Sequence, residues 1–169
     1  CEHLDRVAEF SYSIALSVGV EKDKCEILRY ASKIHDIGKI HIPDNILQKP
    51  GTLTAKEFEI IKKHTVIGVE IINTCKYNSL IHSAKDIVLH HHERWDGEGY
   101  PHNLKKDDIP LFARIVAVAD VFDALTHRRA YKDAWTQDMA TQYILEQREK
   151  QFAPDITDAF LSVVKSAVN

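Results

Sequence analysis

The chain has 169 residues, of which 44% are hydrophobic, 28% charged and 8% aromatic, with a formal charge of −3. That make-up excludes collagen, a disordered chain and a disulfide scaffold, and no apolar run reaches the ~18 residues that span a bilayer. The mild acidity argues against a general nucleic-acid or anionic-membrane surface but allows a small anion gripped by local cations.

The pattern is helical nearly throughout, and an all-α bundle of about seven helices with long irregular loops is expected. Leu4, Val7, Ala8, Ser11, Ile14, Ala15 and Val18 recur at three and four before Gly19 stops the run. Asp23 opens a second helix carrying Ile27, Leu28, Ala31 and Ile34, expected to close at Gly38. Residues 40–51, with Pro43, Pro50 and Gly51, read as an irregular loop. Thr54 followed by Glu57 is a capping-box signal for a third helix through Phe58, Ile61 and Ile71, with a break expected near Gly68. A fourth helix is expected over roughly 81–93, a long loop over 96–110 and a fifth helix over 111–126. Thr136 caps a sixth, and Pro154-Asp155 opens the last. The chain begins almost directly in a helix, which is expected of a piece of a longer multidomain signalling protein.

Cys1, Cys25 and Cys75 form neither a disulfide framework nor a Cys-x-x-Cys zinc site, so a reducing, cytoplasmic setting is expected. The histidines are the anomaly. There are 10, and they cluster. His35-Asp36 falls at a helix end, where two adjacent side chains diverge by roughly 100° and can serve one cation or two. The same dipeptide also suits a plain charged helix terminus. His90-His91-His92 follows the apolar Ile87-Val88-Leu89, and buried imidazoles need a metal or a carboxylate. His64, within Lys62-Lys63-His64-Thr65, would read by itself as a surface or core-edge residue. Asp120 lies in the apolar run Ile115-Val116-Ala117-Val118-Ala119, where a carboxylate is expected to be paired or to hold a metal. His and Asp without Cys suit Fe, Mn or Zn and two-metal hydrolytic centres.

These residues fall into an ordered series. It runs His35-Asp36-Ile37-Gly38-Lys39, Ile42-Pro43-Asp44, Lys49-Pro50-Gly51 and Lys63-His64-Thr65, then His91-His92-Glu93-Arg94-Trp95-Asp96-Gly97 with Gly99-Tyr100-Pro101, and finally Ala113-Arg114-Ile115 leading to Ala119-Asp120-Val121-Phe122-Asp123. Over residues 1–169 the chain resembles the HD-GYP domains of the HD phosphohydrolase superfamily. The resemblance implies an all-α fold, two or three divalent metals (iron or manganese, with zinc an alternative) and hydrolysis of cyclic di-GMP. By position, the metal ligands would be His35, Asp36, His64, His91, His92 and Asp120, with His3 added for a third metal. Asp36 would bridge two metals, and His90 would be a bystander. Lys39 would touch the scissile phosphate, and Tyr100, Asp123, Arg129 and Lys132 would contact the ligand. The Glu of trinuclear members would stand four residues before His3, ahead of Cys1, so the metal count stays open. Ala130, Ala153 and Asn103 depart from the usual Pro, Asp and Gly.

On this reading a metal-bridging hydroxide attacks phosphorus in line and gives linear pGpG, with further cleavage to GMP open. The Gly99-Tyr100-Pro101 loop is expected to act as a turn and lid, ahead of a docking surface for diguanylate cyclase domains. A homodimer is open. Two other readings remain: a nonhydrolytic cyclic di-GMP receptor, and an HD phosphohydrolase acting on another nucleotide.

Overall fold

The structure, a computed structural model, describes residues 2–76, 78–127 and 134–168. Among the described residues are nine α-helices, two short 3-10 turns and one isolated bridge between Arg148 and Phe152. The excess over the expected seven has two sources: a four-residue helix inside the 40–51 loop, and a third helix that divides in two.

α1 (Glu2–Ser17) buries Val7, Ala8, Ser11, Ile14 and Ala15, a single face at helical spacing. It ends where Gly19 takes a φ of +81°, a conformation that stops helices and favours glycine. α2 (Lys22–Ser32) buries Cys25, Leu28 and Ala31 and stops six residues short of Gly38. The chain tightens there through i→i−3 bonds from Ile34, His35 and Ile37, so His35 and Asp36 sit in a turn rather than on a helix. A 3-10 segment, Ile37–His41, carries Gly38 and Lys39. α3 (Asp44–Leu47) follows Pro43.

α4 (Ala55–Lys62) opens with both halves of a capping box: Glu57 N donates to Thr54 Oγ1 at 3.3 Å, and Thr54 N donates to Glu57 Oε2 at 2.7 Å. The break comes at Lys63, not at Gly68, and α5 (His64–Ile72) starts on the histidine. Gly68 lies inside α5 for a packing reason. A Cβ there would come within 2.5 Å of Val88 Cγ1 and 3.3 Å of Gly38 N. α6 (Ser79–His90) is capped by Asn78, whose Oδ1 accepts from Ile81 N at 2.8 Å. α7 spans Leu111–Thr126, α8 Gln137–Glu146 behind its Thr136 cap, and α9 Pro154–Val168.

α7 is the hub. It buries Ala113, Ile115, Val116, Ala117, Val118, Ala119 and Phe122, and packs against α1, α6, α8 and α9. A helix apolar on nearly all sides has to be central, and its alanines let neighbours come close. Phe10 of α1, Phe122 of α7 and Phe160 of α9 lock these three helices, with ring centroids 5.0 Å apart for Phe10–Phe122 and for Phe122–Phe160. α2 and α5 both rest on α6, and α5 also holds the 3-10 segment. This packing draws the His35-Asp36 turn, the start of α5, the end of α6 and the middle of α7 to one place.

Candidate metal centre

The side chains expected as ligands converge in two groups. Asp36, His64, His91 and His92 present ligand atoms within 4.8 Å of one another, and so do His3, His35 and Asp120. Asp36 stands between the groups. Its Oδ1 lies 3.3 Å from His64 Nε2 and 3.7 Å from His91 Nε2, while its Oδ2 lies 3.4 Å from His35 Nε2. Asp120 Oδ1 lies 3.6 Å from both His35 Nε2 and His3 Nε2.

Three rings are aimed by their own backbone. His35 Nδ1 lies 2.8 Å from Ser32 O, His64 Nδ1 2.7 Å from Ile61 O, and His91 Nδ1 2.9 Å from Ile87 O. A carbonyl oxygen only accepts, so each Nδ1 carries the proton. In the neutral ring each Nε2 then offers a lone pair pointing inward. His35 Nε2, His64 Nε2, His91 Nε2 and Asp36 Oδ1 are all buried without a hydrogen-bond partner. Leaving such atoms unmatched is costly in a folded protein, about 1–3 kcal/mol each. Their mutual spacing of 3.3–3.7 Å is too long for a hydrogen bond and suits ligands that share a cation at roughly 2.0–2.2 Å. The residues fit a multi-metal site, with one oxygen of Asp36 turned toward each group. His92, in the turn just past α6, and Asp120, in the middle of α7, complete the set.

The charges agree with this arrangement. Burial works against charge on His35, but Asp120 and Asp36 outweigh it and raise its pKa to about 10. Burial also pushes the carboxyls of Asp36 and Asp120 up, and the neighbouring His35 overrides it and holds both well below the usual carboxylate range. His64 is held down at about 4 and His92 well below its ordinary value, in each case chiefly by burial. His64 and His92 thus stay neutral, while the two carboxylates favour positive charge at His35, the position a divalent ion would take.

Lys39 Nζ sits 2.5 Å from Asp36 Oδ2 at the rim, with a third of its side chain exposed. Tyr100 stacks on His92 at 4.8 Å between ring centroids, and Lys62 Nζ lies over the Tyr100 ring at 5.6 Å. A cavity of about 230 Å³, lined by Tyr100, Lys62, His91, His92 and Asp120, opens beside the ligands. Asp123 is placed differently from the others. Its carboxylate faces away from the paired groups, with Oδ2 2.6 Å from His3 Nδ1 and Oδ1 2.5 Å from Arg6 Nε and 3.0 Å from His127 Nδ1. It orients His3 toward Asp120. It also borders a larger cavity of about 650 Å³ with Arg6 and His127. Arg129 and Lys132 lie outside the described residues.

The sequence of this chain matches the profile of the HD domain family over residues 1–156. The chain belongs to the HD domain family. Within it this HD domain is HD-GYP-like. It is 44% identical over 159 residues to the 3'3'-cGAMP-specific phosphodiesterase 2 of Vibrio cholerae, covering 94% of this chain and 30% of that protein. It is 46% identical over 158 residues to the cyclic di-GMP phosphodiesterase response regulator RpfG of Xanthomonas campestris, covering 94% of this chain and 42% of that protein. The chain therefore spans less than half the length of these relatives. In fold it is similar to Bd1817, an HDG"Y"P protein from Bdellovibrio bacteriovorus, with a TM-score of 0.75, 20% identity, and coverage of 96% of this chain and 51% of the other.

Two features of this HD domain escaped the motif reading. Glu93 carried no expected role. Its fully buried carboxylate accepts from His102 N at 2.7 Å and Leu104 N at 3.0 Å, and so ties the Tyr100 loop to the exit of α6. Arg6, to which the sequence assigned no role, anchors Asp123. A charged residue inside the apolar-flanked His-His-Glu run was the available signal for Glu93; Arg6, on a helix face shared with His3, gave none. Asn103, in place of a glycine, takes a φ of +55°, which an asparagine tolerates. No helix among the described residues is long and apolar enough to cross a membrane.

Proposed function

We propose that this domain hydrolyses a phosphodiester of a cyclic dinucleotide, with cyclic di-GMP as the first substrate and linear pGpG as the product. The observation that supports this most is the inward aim of the Nε2 atoms of three buried imidazoles at the two oxygens of Asp36. His35, Asp36 and Asp120 would hold one ion, and Asp36, His64, His91 and His92 the other. Two divalent ions, when bound there, supply a nucleophile at neutral pH and neutralise charge on the phosphorane.

The chain's own side chains do the remaining work. Lys39 is a compact cation at the rim, within reach of Asp36, and stabilises a nonbridging phosphate oxygen. Tyr100 walls the cavity on the His92 side and supplies an aromatic face on which a nucleobase can stack. Burial, then Asp36 and Asp120, pushes its phenol above the ordinary value, so it serves as a neutral donor rather than a base. Arg129 and Lys132 supply further positive charge for the second phosphate of the dianion.

A second reading keeps the chemistry and changes the base. The Vibrio cholerae relative is named for 3'3'-cGAMP and is as similar as those named for cyclic di-GMP, so either substrate suits this domain. Protein purified without oxygen and loaded with iron, manganese or zinc is incubated with each dinucleotide beside an active control, and the products are separated. Linear product from one or both supports the proposal, and the ratio of rates chooses between the substrates. No turnover of either with any of the metals rejects it in favour of a nonhydrolytic receptor. Asp36→Ala is expected to abolish turnover and remove at least one metal per chain.

A further inference from the structure

Two histidines that the proposed centre does not use, His90 and His102, meet at one carboxylate. Their ring centroids are 5.4 Å apart. His90 Nδ1 lies 3.8 Å from Glu93 Oε1, beyond hydrogen-bond range, and is buried without a partner. Glu93, with no exposed side-chain surface, accepts one backbone N–H on each oxygen. An ionised carboxylate has about four acceptor sites, so each oxygen keeps one free. The ligand atoms of His90, Glu93 and His102 all fall within 4.8 Å of one another.

We propose that His90, Glu93 and His102 form a second metal site, distinct from the centre at Asp36, that takes zinc or a similar divalent ion. Ligands at zinc distances in a tetrahedral site lie roughly 3.3–3.5 Å apart. His90 and Glu93 are close to that already. His102 is exposed and can turn in without moving the backbone. Two imidazoles and one carboxylate, with a fourth position open to water, match the preference of zinc for mixed N/O donors. The adjacent rings of His90 and His91 leave the chain in different directions. His91 faces His35 and His64, and His90 faces His102. An ion at His90 would therefore fasten the end of α6 to the Tyr100 loop from the side opposite the paired centre.

The test is a zinc titration of the manganese-loaded protein against a fluorescent chelator. Elemental analysis before and after counts total metal per chain, so that exchange at the centre is not scored as new binding. The expected result is one additional ion per chain in the wild type. His102→Ala, at an exposed position, and His90→Gln are each expected to lose it or weaken it at least tenfold while the metal of the Asp36 centre stays. Total metal that does not rise in the wild type overturns the proposal, as does an additional ion bound with equal affinity by His102→Ala. Because the readout is binding, neither outcome depends on whether cyclic dinucleotides are hydrolysed.

Discussion

Gly38→Ala tests whether the centre is positioned by contact between backbones. Gly38 lies in the 3-10 segment two residues after Asp36, with its Cα against the start of α5. A Cβ built there meets His64 O at 1.9 Å, Gly68 N at 2.7 Å and His64 C at 2.8 Å, all backbone atoms that no rotamer change can relieve. Real Cβ contacts essentially never fall below 3.0 Å, so α5 and the 3-10 segment have to separate by an ångström or so at His64. His64 Nε2 and Asp36 Oδ1, now 3.3 Å apart, then move out of reach of a shared ion. Overpacking of this kind costs about 1–3 kcal/mol of stability. Loss of ligand alignment lowers metal affinity by about 10–100-fold, on the scale seen for residues that orient ligands. Urea denaturation measures the first and elemental analysis after dialysis the second. Gly19→Ala is the control: its φ of +81° strains an alanine, but nothing lies within 4 Å, so stability falls while metal content stays. A Gly38→Ala protein with full metal content and an unchanged midpoint would falsify the reasoning.

Lys39→Ala is expected to lower kcat about 10²–10³-fold, the scale for removing one preorganised charge, with metal content retained; a parallel loss of metal would instead make Lys39 a support for Asp36. Phe160→Ala should cost about 3–5 kcal/mol in urea unfolding, because it empties the contact that joins α1, α7 and α9, and a cost below 1 kcal/mol would show that those helices are held elsewhere. The Glu57 carboxyl is held at about 2 by Lys49 first and then by the Thr54 backbone N–H and hydroxyl. A depressed folded value means that its contribution is present above about 4.5 and fades as pH falls toward 2. Glu57→Gln should thus be less stable than wild type at pH 7, with the gap in Tm narrowing below pH 4.5; a gap that does not change with pH would exclude the charge as its origin.

Much of the fold could be read from apolar spacing. The five buried positions of α1 and the Ala- and Val-rich run of α7 appear directly in the sequence, as do the caps Thr54 and Thr136. Gly68 could not be read in the same way. A glycine in a helical pattern looks like a break, and only the approach of Gly38 and Val88 shows that it is there for closeness. The turn at His35-Asp36 was hidden for a related reason, since apolar spacing continues to Ile34 and Ile37 while the backbone has already tightened to i→i−3 bonds. At the candidate site, Asp120 was conspicuous because an acid in an apolar helix needs a partner. His64 was not, because its surroundings are supplied by α6 and the Tyr100 loop, distant in sequence. Spacing could not separate His90 from His91 and His92 either, since only the direction of each ring distinguishes them.

The bond from each Nδ1–H to a carbonyl three or four residues back has an entropic consequence. His35, His64 and His91 each have their ring torsions fixed by a turn of their own segment, before any cation arrives. Freezing a free side chain costs up to about 1.5–2 kcal/mol for the most flexible residues, and these three have already met that cost during folding. Capture of an ion then requires no search among rotamers. Errors in the geometry can arise only as rigid shifts of whole segments, which is why a single added methyl at Gly38, far smaller than any ligand, is enough to disturb it.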